Sequence, residues 1–168
     1  AGEIIFHRIV WSFIVSALIL LSTGKWHLVA DIFKSRKLRF LVYITSGTIA
    51  LNWFTYVYAI NTGRIVETSL WYYINPLVNI FLGMVFLKER LSPLQTVALV
   101  LAVCGVAYIT ISQGSVPWIA LVLAFSFGLY GLFKKIGNLD SVASLTVETM
   151  LLSLFALPVL VSLGLSGA

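Results

Sequence analysis

Residues 67–90 read ETSLWYYINPLVNIFLGMVFLKER. As a helix rising about 1.5 Å per residue, the part from Glu67 to Lys88 matches the ~30 Å hydrocarbon thickness of a bilayer. An inert anchor of that length would carry only Leu, Ile and Val near its centre, whereas this one carries Tyr72, Tyr73, Asn75, Pro76 and Asn79. Pro76 lacks an amide donor and crowds the carbonyl four residues back, so a backbone acceptor at Tyr72 is expected to be released at mid-depth. Asn75, Asn79 and Gly83 follow at intervals of four, which stacks them along one face. Amides turned toward lipid are costly, so this face is expected to meet other helices or a wet cavity. Such amides either glue helices together or line a path for a solute or ion. Several polar groups at one depth favour the path.

Composition sets the class. Of 168 residues, 60% are hydrophobic and 10% charged, which marks an integral membrane protein. The apolar runs are about 20 residues long, the helical pattern; a membrane barrel alternates over segments of about ten. Six runs are expected to span, at about Glu3–Ser22, Phe40–Asn61, Glu67–Lys88, Leu94–Ser112, Trp118–Phe133 and Ala143–Leu165. They leave no room in this chain for an attached catalytic or nucleotide-binding unit. The single cysteine, Cys104, has no partner for an internal disulfide and is expected to pack as a small residue.

The net charge of +5 reports orientation rather than a nucleic-acid partner. The links after the first, third and fifth runs hold Lys25, Lys34, Arg36, Lys37, Arg39, Lys88, Arg90, Lys134 and Lys135, and the intervening links hold only Arg64. By the positive-inside rule the basic links are expected to be cytoplasmic. The centre of the first link, WHLVADIF, is expected to form a short interfacial helix with Trp26 at headgroup level. With Glu3, His7 and Arg8 directly after Ala1 and Gly2, no cleavable leader is expected in this stretch. Both ends are then expected outside, with at least one helix before Ala1 and more after Ala168.

Other runs repeat the theme of polar groups at depth. The first places Glu3 and His7 four apart and Arg8 ahead of Ser12 and Ser16, with Trp11 alongside; Arg8 either meets an anionic group or snorkels to the interface. The second sets Thr48, Asn52, Thr55, Tyr56 and Ala59 on one face, and Trp53, Tyr56 and Tyr58 add aromatic surface. The sixth carries Glu148, Thr149, Ser153 and Pro158, and Glu148 stands where a proton-coupling carboxylate or an interfacial helix start would. Rows of small residues, Ala98, Ala102 and Gly105, then Ala120, Ala124 and Gly128, mark the fourth and fifth runs as scaffold.

The tracts LWYYINPLVNIFLGMVFLKERL, FHRIVWS and LAFSFGLYGLFKK together resemble the RarD group of EamA-type transporters, in the drug/metabolite transporter superfamily. The resemblance implies an all-α polytopic membrane protein with six transmembrane helices of a ten-helix inverted-repeat bundle, the second to the seventh. Residues 1–115 would be most of the first repeat and 116–168 the start of the second, with the binding site near the midplane where the halves meet. It implies that His7, Arg8, Asn52, Tyr72, Asn75, Pro76 and Asn79 sit in or beside the pathway; Trp11 and Tyr56 join them from their own helices. Glu89, next to Arg90, would fix the cytoplasmic end of the third helix. Trp71 stands where relatives are expected to carry glycine.

The expected function is secondary transport of small organic solutes or drugs by alternating access, with Glu148 as the candidate for proton coupling. The alternatives are a membrane-embedded enzyme using His7 and Glu148 as acid and base, and a structural subunit that transports nothing. Against the enzyme, the sequence has no acidic metal cluster and no nucleophile motif. The expected partners are a small-molecule solute, the lipid bilayer, the remaining helices of the full-length protein and, as the alternative to a monomer, a second copy in a homodimer. No nucleic acid, cofactor or metal is expected, and the expected location is the inner or plasma membrane.

Overall fold

The structure, a computed structural model, describes the backbone of residues 2–114 and 116–165, with all side chains among them except those of residues 2–4, 113, 155, 157 and 159–165. Among the described residues every regular element is a helix: α1 Gly2–Ser22, α2 His27–Lys34, α3 Arg36–Asn61, α4 Ile65–Leu87, α5 Pro93–Gln113, α6 Trp118–Gly137 and α7 Ser141–Leu165. Five are long and apolar enough to cross a membrane, within α1, α3, α4, α5 and α6. In α7, 25 residues long, the stretch Ser141–Leu154 is apolar helix as well. The chain is an all-helical multi-pass membrane protein.

The helix ends follow local chemistry. In α5 the Ser92 hydroxyl accepts from the Gln95 amide at 3.3 Å while the Gln95 side chain accepts from the Ser92 amide at 2.8 Å, with Pro93 in the first turn. That reciprocal box makes Pro93 a helix start rather than the end of a link. α4 stops where Lys88 turns left-handed, at φ 55°, and the Glu89 amide returns to the Gly83 carbonyl at 3.2 Å. α3 begins at Arg36, four residues earlier than its apolar run, so Arg36, Lys37 and Arg39 lie in its opening turn.

The chain forms two compact units, with boundaries inside α3 and α6. In the unit of Ala1–Trp53 and Phe133–Ala168, α1 and α2 pack on α7. Leu20, Val29, Ile32, Val42, Ala143 and Val147 form an apolar cluster there. The same unit buries Thr45, Ser46, Thr146, Thr149 and Ser153. The hydroxyls of Ser46, Thr146, Thr149 and Ser153 donate to carbonyls three or four residues back, as Ser46 does to Val42 at 2.7 Å and Ser153 to Thr149 at 2.7 Å. Polar side chains satisfied on their own helix can be buried without a partner element.

In the unit Phe54–Leu132, Leu70, Ile74, Val78 and Leu82 of α4 pack against Ala120, Ala124 and Leu132 of α6. The absence of a side chain at Gly128 sets the approach. A Cβ there would stand 2.9 Å from both Leu82 Cδ1 and Val78 Cγ1. α5 lies on α4, with Val106 touching the same cluster. Its spanning window holds no buried residue, nothing lies within 4 Å of the Cβ position of Gly105, and Cys104 is exposed. The expected close packing of the α5 small-residue row, and of Cys104, is therefore not what the described residues display.

Candidate functional site

The row begun by Asn75 and Asn79 on α4 extends one turn back to Trp71. Trp71 is the hub of an aromatic nest. Tyr56, from the end of α3, meets it edge-on at 6.1 Å between ring centroids; Tyr72 lies at 4.5 Å and Phe127 of α6 at 6.0 Å, with Tyr130 a further 6.0 Å from Phe127. Asn75 follows Trp71 by one turn and is half-buried. Its Oδ1 and the Trp71 Nε1 are buried without a hydrogen-bond partner. Asn79, expected to turn inward, is exposed, with its Oδ1 at the edge of the α4–α6 contact, 3.3 Å from where a Gly128 Cβ would stand. Pro76 and Tyr72 are exposed, on the side of α4 away from the buried row Leu70, Ile74, Val78 and Leu82.

The ends of α4 are tied differently. Glu67 accepts from the Ile119 amide in the first turn of α6 at 3.1 Å and pairs with Arg64 at 3.2 Å. Arg64 in turn lies 5.4 Å over the Trp118 ring. A carboxylate at a helix N-terminus meets unpaired amides and the positive end of the dipole, so this contact joins α4 to α6. At the other end the Glu89 carboxylate folds back over Gly83, with Oε2 2.6 Å from its would-be Cβ. Arg90 is exposed.

The unit of Ala1–Trp53 and Phe133–Ala168 holds the remaining candidates. Glu148, fully buried at 0% exposure, is 3.6 Å from Lys134 Nζ and accepts from the Thr45 hydroxyl at 2.7 Å. α3, α6 and α7 each contribute one of these three side chains. Arg8 lies 4.8 Å over the Trp53 ring and Asn52 is buried. His7 and Trp11 are exposed, Trp11 at 62%. The side chain of Glu3 lies outside the described residues, so its expected pairing with His7 does too. Among the described residues no three His, Cys, Asp or Glu side chains converge as a metal site would need.

The structure therefore groups Tyr56, Tyr72 and Asn75 around Trp71, sets Asn79 against α6, and puts Glu148 in a charged cluster. Trp71, Phe127, Tyr130, Lys134 and Thr45 are not among the site residues expected from the sequence. Trp71 carried a usable signal, being four before Asn75. Lys134 and Thr45 carried none beyond their polarity, because their meeting with Glu148 depends on how three helices are rotated.

Residues 2–111 match the EamA-like transporter family. The chain is 43% identical over 167 residues to the uncharacterized transporter YojE of Bacillus subtilis, covering 98% of this chain and 56% of that protein. It is 41% identical over 167 residues to RarD of Streptomyces exfoliatus, covering 99% and 53%, and 39% identical over 150 residues to RarD of Escherichia coli, covering 89% and 51%. The chain thus spans about half the length of these curated relatives. No solved structure matches it. Five membrane-length helices, amides placed inside one of them, and a family match running from α1 into α5 agree with one another: the chain belongs to the EamA-like transporter family.

Proposed function

We propose that this chain forms part of a secondary transporter, of the drug/metabolite transporter superfamily, which carries small organic solutes across the plasma or inner membrane by alternating access. In this reading, 1–115 is most of one repeat and 116–168 the start of an inverted second one, and the links richest in Lys and Arg face the cytoplasm. His7, Arg8, Trp11, Asn52, Tyr56, Tyr72, Asn75, Pro76 and Asn79 line or border the path. Glu148 carries a coupled proton, and Glu89 with Arg90 sets the cytoplasmic end of α4. The remaining helices of the full-length protein complete the pathway.

One observation carries the reading. In a chain of a transporter family, the middle of a membrane-length helix bears Asn75 with a buried, unpaired amide oxygen next to an aromatic nest. Groups of that kind are costly in hydrocarbon and are retained where a passenger or water meets them. The test is solute movement in vesicles bearing the full-length protein. Asn75→Leu and Asn79→Leu should each cut the transport rate at least tenfold with the helical content retained; unchanged transport in both removes the path from α4. Glu148→Gln should abolish the pH dependence of transport, and an unaltered pH profile would take Glu148 out of the coupling role. A relative from Pseudomonas aeruginosa bears the name chloramphenicol-sensitive protein RarD, which makes chloramphenicol a reasonable first solute to screen.

A further inference from the structure

Trp71 Nε1 and Asn75 Oδ1 are two buried polar atoms without partners, one helical turn apart on the same face of α4. They are of opposite kind. The indole nitrogen can only donate a hydrogen bond, and the amide oxygen can only accept one. Counted from Ile65, Trp71 stands about 9 Å and Asn75 about 15 Å along a helix of about 34 Å, so both lie well within the hydrocarbon layer, where water is scarce. Leaving both unsatisfied there is unfavourable in every state of the protein. Rings surround them: Tyr56, Tyr72 and Phe127 about Trp71, with Tyr130 behind Phe127. Aromatic faces and edges accept a flat ring at favourable offset or edge-on geometry and give an anion nothing to pair with.

We infer that Trp71 and Asn75 form a subsite for a flat, uncharged solute that carries a hydrogen-bond acceptor beside a donor, as a carboxamide on an aromatic ring does. The indole N–H donates to the solute carbonyl, Asn75 Oδ1 accepts from the solute N–H, and the ring lies among Tyr56, Tyr72 and Phe127. The two polar atoms are covered in this structure, so occupation requires the indole or the carboxamide to turn. Tyr72, 61% exposed, is the open side of the nest. The inference rests on the pathway reading of α4 given above and names the solute chemistry of that path. A half-turn of the Asn75 carboxamide would instead present N–H to the solute. The matching ligand would then carry two acceptors, and the experiment separates the two.

The experiment titrates three probes of similar size into the full-length protein in lipid nanodiscs. Benzamide offers an acceptor and a donor, nitrobenzene offers two acceptors, and ethylbenzene offers neither. The readouts are the dissociation constants and the indole ¹⁵N–H signal of Trp71, assigned by its loss in Trp71→Phe. Benzamide should shift that signal and bind more tightly than either other probe. Trp71→Phe keeps the ring and loses the N–H, and Asn75→Leu keeps the size and loses the oxygen. Each should weaken benzamide about fivefold or more, the loss expected for one hydrogen bond, while ethylbenzene moves less than twofold and so reports lipid partitioning. Tighter binding of nitrobenzene than benzamide overturns the inference, as does an indole signal that no probe moves. If benzamide shows no preference while Asn75→Leu still stops transport, the subsite falls and the pathway stands. If benzamide needs both groups while Asn75→Leu transports normally, the subsite stands and the pathway falls.

Discussion

Thr45 has one hydroxyl proton and two acceptors in reach, the Val42 carbonyl at 3.1 Å and Glu148 Oε1 at 2.7 Å. A single proton cannot serve both at full strength. The shorter contact, to a carboxylate beside Lys134, is the charge-assisted one and is expected to hold the proton. With Glu148 wholly buried and the Lys134 side chain 12% exposed, the pair sits where removing one partner is far worse than removing both. Lys134→Met should therefore lower stability by about 3–5 kcal/mol, because the carboxylate keeps its burial and loses its ammonium. Lys134→Met combined with Glu148→Gln should recover most of that loss. Thr45→Val should cost less, about 1.5–3 kcal/mol, the range for one hydrogen bond to a charged group. Unfolding of each variant in detergent ranks the three; a double variant no better than Lys134→Met alone would show that the ion pair is not what Lys134 contributes.

At the scale of elements, two glycines on neighbouring helices make a contrast. In α6, a methyl at Gly128 would be driven to 2.9 Å from the branched ends of Leu82 and Val78, which are packed in the α4–α6 cluster. Gly128→Ala should thus destabilise by about 1–3 kcal/mol through overpacking. In α4, a methyl at Gly83 meets only the far end of the Glu89 side chain and no packed core atom. Gly83→Ala gains helix propensity of nearly 1 kcal/mol and should change stability by less than that, measured in the same unfolding assay. The row Ala120, Ala124 and Gly128 was readable in the sequence as a contact face, and it is one. The row Ala98, Ala102 and Gly105 had the same spacing, yet Gly105 meets nothing. Spacing tells which residues share a face and leaves open which neighbour, if any, covers it. The long helices were legible because each contains a long apolar run; their ends moved by no more than four residues, and by one at the α5 cap and at the left-handed turn that closes α4. Within the candidate site, Asn75 and Tyr56 were legible as polar or aromatic groups at depth. Trp71 was legible only through its place four before Asn75, and Lys134 was hidden by lying in a KK pair beside a link.

On the scale of the molecule, the distribution of basic side chains is the strongest statement about how the chain lies in a membrane. Nine of its Lys and Arg residues lie in three alternate links, and Arg64 is the single one in the others. Arg64 is held in place by Glu67 at 3.2 Å and the Trp118 ring. With α3, α4, α5 and α6 each crossing once, Asp31 and Ser141 are expected on one side and Thr62 on the other. All three residues are exposed, so each accepts a cysteine without disturbing a core. In a Cys104→Ser background, which removes the native thiol, Thr62→Cys should react with a membrane-impermeant maleimide added to intact cells. Asp31→Cys and Ser141→Cys should react only after the cells are opened. The reverse pattern would invert the orientation set by the positive-inside rule. Equal labelling of Thr62→Cys and Asp31→Cys would mean that α3 does not cross the membrane at all, and with it would go the premise that Asn52 lies at depth.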